Sequence, residues 1–224
     1  IKSTENSYFT LDEYKEKIKA NQIDKNGNTI ILYTNNTETQ HSYIAAAKER
    51  GYDVVEFDNP FDSHYIQLLE SKMGKTQFVR VDANTIDKII EKDEPSISKL
   101  SDEEKKQIVG IFEKVVNKTK YQVQVENLSE TDSPILLTQS EFMRRMRDMS
   151  QMGGGMSFYG SLPETYNLIV NGNHPLMSKI LHENDEQKKE NFAKQAADLA
   201  LLSQGLLKGE ELTKFVKRSV ELIQ

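Results

Sequence analysis

The sequence predicts an α/β protein, α+β overall, in two domains, and three observations carry that reading. The chain has 224 residues, more than one small domain needs and fewer than three would use. Apolar β-rich runs alternate with helical patterns through the first 92 residues, which implies crossover connections and a parallel sheet. The polar stretch Asp93-Glu94-Pro95-Ser96-Ile97-Ser98 then breaks the alternation and sets the expected boundary: residues 1–97 form one domain and 98–224 the other.

In chain order, Thr10-Leu11-Asp12-Glu13 has the form of a capping box opening a helix from Leu11 to about Ala20. Thr29 to Thr34 is the first β-rich run. Thr37 and Gln40 offer a second box before the helix carrying Tyr43-Ile44-Ala45-Ala46-Ala47, and Gly51 supplies a left-handed stop. Val54-Val55-Glu56-Phe57 is a second strand, Pro60 starts a helix through Leu69, and Phe78 to Val81 is a third strand. In the second domain, Ser101 and Glu104 box a helix to about Asn117, with Ile108, Ile111, Phe112, Val115 and Val116 at helical spacing. Tyr121 to Val125 alternates as a strand, and Ser133-Pro134 turns the chain into Ile135-Leu136-Leu137. Thr138 and Glu141 then box a further helix, and Tyr166 to Val170 is the next strand. Asn173 is the expected cap of a short helix with Pro175 in its first turn, followed by helices of about Glu186 to Leu207 and Glu210 to Ile223.

Composition removes several function classes. A formal net charge of -6 opposes a phosphate backbone, so no nucleic-acid partner is expected. No apolar run approaches the roughly 20 residues of a bilayer span, so no membrane partner is expected either. The absence of cysteine removes disulfides and thiolate chemistry and fits a reducing cytoplasm. The polar start at Ile1, with no methionine and no secretory signal, is expected to lie inside a longer protein.

Catalytic patterns are missing. Asn35-Asn36-Thr37 joins the first strand to its helix where a dinucleotide fold needs glycines. Gly153-Gly154-Gly155 lacks the Lys-Ser/Thr of a phosphate loop and reads as a linker. The four histidines lack metal-ligand spacing, and His174 reads as a first-turn structural residue. The expectation is no catalytic residue, no metal and no cofactor in this chain. One enzymatic alternative stays open: an active or small-ligand site at the strand C-terminal ends, near Asn35, Asn36 and Asp58.

Two apolar patterns stand out instead. Five of the seven methionines fall between Met143 and Met156. At about 100° per residue, Phe142, Met143, Met146 and Met149 share one helical face, opposite Arg144, Arg147 and Asp148. Such a face is either core or, because methionine is unbranched and polarizable, a surface that adapts to varied partners. On the last two helices, Phe192, Leu199, Leu202 and Leu206, then Leu212, Phe215, Val216 and Ser219, recur every three or four residues. That pair either closes its own domain or joins a second copy in a two-fold four-helix bundle.

Taken together, Tyr8-Phe9-Thr10-Leu11-Asp12-Glu13-Tyr14, the stretch from Ser133-Pro134 through the Met-Arg helix, and Tyr166-Asn167-Leu168-Ile169-Val170-Asn171-Gly172-Asn173-His174-Pro175-Leu176 resemble bacterial heat-shock protein 90 chaperones of the HtpG type over essentially the whole chain. The resemblance implies a small three-layer α/β/α part of the chaperone middle domain, then a C-terminal dimerisation domain whose last helix pair forms the dimer bundle. It implies two partners, the chain itself as a homodimer and incompletely folded client proteins. It places ATP and magnesium in upstream domains of the full-length protein, so this chain is expected not to be an enzyme. Clients would meet Phe142, Met143, Met146 and Met149, together with the helix from Phe61 to Leu69, where His64 and Gln67 stand at the matching positions; His64 replaces a tryptophan of some relatives.

Overall fold

The computed structural model describes residues 1–59, 61–92, 97–151 and 164–221, with side chains from 147 to 151 excluded. Pro60, the core of the expected boundary, the Met149 side chain, Gly153-Gly154-Gly155 and Ile223 therefore lie outside the described residues. By internal contacts the chain divides into two compact units, Ile1–Glu94 with Gln139–Pro163, and Pro95–Thr138 with Glu164–Gln224.

The first unit is built on a four-stranded sheet of order β1-β3-β2-β4. Its strands are β1 (Lys2–Ser3), β2 (Thr29–Thr34), β3 (Val54–Glu56) and β4 (Thr76–Arg80). β2 runs parallel to β3 and β4, as the alternation predicts, while β1 adds an antiparallel edge that the short polar opening does not signal. One face of the sheet, with Ile31, Tyr33, Val55, Phe57 and Phe78, packs against Tyr14 and Ile18 of α1 (Leu11–Ile18) and Ile66 and Leu69 of α3 (Asp62–Met73). The alternate residues Ile30, Leu32 and Val54 are equally buried, on the side where α2 (His41–Glu49) and the short α4 (Ile86–Ile89) lie. The result is an α/β/α stack with a mainly parallel sheet.

Local signals explain most element ends. Both expected boxes at Thr10/Glu13 and Ser101/Glu104 form reciprocally. Gly51 closes α2 at φ 73°. The box expected from Thr37 and Gln40 does not form. Asn36 Oδ1 accepts from the backbone amides of Glu38 and Thr39, and the buried Gln40 side chain turns back to Thr34 Oγ1, so α2 starts only at His41. α3 runs one turn past Leu69, to Met73.

The second unit contains a three-stranded sheet of order β5-β7-β6, from β5 (Tyr121–Glu126), β6 (Ile135–Thr138) and β7 (Tyr166–Asn171). β7 is parallel to β5 and antiparallel to β6. Its core joins Tyr121, Val123, Ile135, Leu137, Leu168 and Val170 to α5 (Asp102–Val115), α7 (Pro175–His182), α8 (Glu186–Ser203) and α9 (Gly209–Glu221). Gly172 follows β7 where a Cβ would stand 3.0 Å from Val125 Cγ1, too close for a side chain without displacement. Two expected caps are corrected here. Thr138 pairs with Asn167 as a strand residue instead of opening the next helix, α6 (Glu141–Gln151). His174, not Asn173, caps α7 by accepting from the Leu176 amide, while Asn173 reaches the carbonyls of Ile97 and Leu128.

Candidate functional site

The Met-Arg helix α6 is the element that the sequence singles out most strongly, and its packing reverses the usual sense of an amphipathic helix. By its contacts α6 falls in the first unit, with Ile1–Glu94. Its inward side is charged. Arg144 is 5% exposed and donates to the Tyr33 hydroxyl and, at 2.6 Å, to Glu141 Oε1. Arg145 Nε donates to the same Glu141 oxygen at 2.7 Å, and its two terminal nitrogens reach both carboxylate oxygens of Glu70 on α3, at 2.8 and 3.2 Å. Burial alone would raise the Glu141 carboxyl, but the two guanidiniums outweigh it and hold it below the usual carboxylate range. Burial, with the Glu141 charge beside it, pushes the Tyr33 hydroxyl well above its ordinary value.

With the charges turned in, apolar groups face out. Phe142 is 67% exposed, and Met143 and Met146 are half-buried. On the neighbouring α3, His64 and Gln67 are exposed. The larger apolar exposure on that helix, however, lies at its start, Phe61, and at Tyr65 and Leu68, which are 69%, 45% and 49% exposed. Sequence reasoning missed this stripe, although its spacing of four and three residues was readable in the sequence. It also missed the inward charges, since an arginine face on a helix normally points to water.

The terminal helix pair of the second unit sorts the other expected residues into two groups. Phe215 is buried in the unit's own core, and Phe192, Leu206 and Leu212 pack partly against that core. Leu199, Leu202 and Val216 are 52%, 40% and 51% exposed, and Val220, on the same apolar stripe of the last helix, is 50% exposed. Ser219 accepts from Gln195 Nε2 at 3.0 Å within the same chain. Polar links set the pairing of α8 with α9: Asp198, 1% exposed, accepts from Lys194 of its own helix and from Arg218 of α9, each at 2.7 Å.

The alternative site also has a location. Thr34, Asn35, Asn36, Glu38, Glu56 and Asp58 line an open cleft of about 250 Å³ at the C-terminal ends of β2 and β3. It is acidic, and Glu56 is already paired with Lys2 at 2.7 Å. Among the described residues no group of three or more His, Asp or Glu side chains is placed to hold a metal ion. Nor, among them, is any helix long and apolar enough to cross a membrane.

Comparison with known proteins bears on the whole chain. The model of the Hsp90 protein family matches residues 1–224. The chaperone protein HtpG of Porphyromonas gingivalis is 36% identical across 96% of this chain and 41% of its own length. That of Bacteroides thetaiotaomicron is 33% identical across 98% and 42%, and that of Wolinella succinogenes is 26% identical across 95% and 34%. The chain thus spans about two-fifths of the length of the first two relatives.

Proposed function

The chain belongs to the Hsp90 protein family, and from that premise we propose that it pairs with a second copy of itself and holds incompletely folded proteins on an apolar surface of its first unit. The observation that carries the binding half is the reversed helix α6, with Arg144 buried and Phe142 two-thirds exposed. Burial of charge next to exposure of a large aromatic is costly for a helix whose only task is packing. Met143 and Met146 add an adaptable, polarizable lining to the same helix. On α3, Phe61, Tyr65 and Leu68 extend the apolar area beyond His64 and Gln67.

The pairing half rests on the apolar residues that α8 and α9 leave uncovered, namely Leu199, Leu202, Val216 and Val220. In a two-fold arrangement the same four residues serve both copies. The chain itself is proposed to hydrolyse no ATP, since it carries no glycine-rich phosphate loop; ATP and magnesium act in the full-length chaperone, in the cytoplasm. The acidic cleft near Asn35, Asn36 and Asp58 has no arrangement that favours an enzymatic reading over this one.

The test replaces Phe142, Met143 and Met146 by serine and follows two quantities, thermal unfolding and affinity for a permanently unfolded, carboxymethylated protein. Stability is expected to fall by no more than about 3 kcal/mol, since Phe142 is already in water and Met143 and Met146 are only half-buried. Affinity is expected to fall by at least about tenfold, the loss of roughly 60 Å² of apolar contact at 25 cal/mol per Å². Unchanged affinity with the fold intact would remove the proposed surface. A collapse of stability would return α6 to the core.

A further inference from the structure

We propose that Arg145 is the positioning residue of a charge latch, with Glu70 and Glu141, that seals the open edge of the first sheet and fixes which face of α6 is presented. The inference rests on the binding role proposed for that face. β4 is an edge strand. Its odd-numbered residues bond to β2, as in the Lys75 carbonyl accepting from Thr29 and the Val81 amide donating to Tyr33, so the amide and carbonyl of Phe78 point away from the sheet. Both are nonetheless paired. The Phe78 amide donates to Glu70 Oε1 at 2.8 Å, and its carbonyl accepts from Arg145 at 2.6 Å. Glu70 and Arg145 are bound to each other by two parallel hydrogen bonds, so one ion pair closes the edge that a partner strand would otherwise extend.

Arg145 uses all three side-chain nitrogens, toward α3, toward the edge of β4, and back to Glu141 on its own helix. A planar guanidinium satisfies three directions at once and fixes the rotation of α6; an ammonium is one nitrogen on a flexible stem and cannot. The latch matters because the described part of α6 spans 11 residues, a length at which an isolated helix is marginal in water. Once undocked it frays, and Phe142, Met143 and Met146 no longer share a face.

The experiment uses the full chain with Arg145→Lys, Glu70→Gln and the double variant, read by hydrogen exchange at peptide resolution and by affinity for the carboxymethylated unfolded protein. Arg145→Lys is expected to raise exchange in residues 141–151 by about tenfold or more, to leave β2 unchanged, and to weaken the probe. The double variant is expected to go no further than the stronger single one, since both break one unit. Unchanged exchange in α6 with lysine would overturn the proposal, because charge alone would then suffice. Additive effects would overturn it too, as would equal loss of protection in β2, which would make Arg145 a general support of the unit. An opened α6 with undiminished affinity would overturn the presenting role. If the parent chain fails to bind the probe, the proposed function falls, while the exchange measurements still decide the latch.

Discussion

Glu141 accepts from three side chains, those of Tyr33, Arg144 and Arg145. It lies on α6 with Arg144 and Arg145, and it faces Tyr33 of β2, while Glu70 of α3 meets the same Arg145. Its carboxyl is held below the usual range by the two arginines, against the effect of burial. A depressed folded-state pKa contributes stability that is fully present above the unfolded value, about 4.3, and is lost as pH falls through the folded value. Docking of α6 is therefore expected to be constant from neutrality down to about pH 5 and to weaken below about pH 4.3. Exchange in residues 141–151, compared with β2 across that range, checks it. Loss of α6 protection between pH 7 and 5 would mean that another group controls the docking.

Elements in this chain are delimited by short polar signals, and each signal works only where its partner groups come within reach. Ser101 caps α5 because its hydroxyl accepts from the Glu104 amide while the Glu104 carboxylate accepts from the Ser101 amide at 2.7 Å. Ser101→Ala is expected to cost about 1 kcal/mol and to lower the melting temperature by roughly 2–4 °C. A calorimetric scan checks this, and an unchanged midpoint would show that the tertiary contacts of α5 dominate its start. The same residue pattern at Thr138/Glu141 yields no cap, since Thr138 is committed to a ladder with Asn167. At Thr37/Gln40 the buried Gln40 side chain is claimed by Thr34.

At the scale of the whole molecule the proposed pairing is the property to test. Leu199 and Val216 are about half exposed, so aspartate at both positions is expected to cost the single chain little, within about 1 kcal/mol. In a two-fold interface the same changes bury unpaired charge in both copies, a penalty of several kcal/mol. Sedimentation of Leu199→Asp/Val216→Asp is expected to show monomer where the parent chain is dimeric. Phe215 and Leu206 are poorer probes than their helical spacing suggests: the first is core and the second is half covered, so changing either disturbs folding as well as pairing. A dimer that persists in the double aspartate variant would place the interface elsewhere.

The sequence by itself determined the α/β alternation of the first unit, most of the helices and strands of both, and the two helical faces where partners were sought, because periodicity and capping depend on neighbours within a few residues. The family was legible for a related reason: strings such as Tyr166 to Leu176 combine a strand, a close-packed glycine and a helix start in one contiguous run. Only the tertiary structure decided which face of each amphipathic helix is free. Phe142 and Phe215 have the same kind of spacing, yet one is 67% exposed and the other 7%. The inward turn of Arg144 and Arg145 depends on Tyr33, Glu70 and Phe78, between 67 and 111 residues away in the chain. Local pattern cannot register such partners, because the free energy of burying a charge is set by the groups that meet it and not by the helix that carries it.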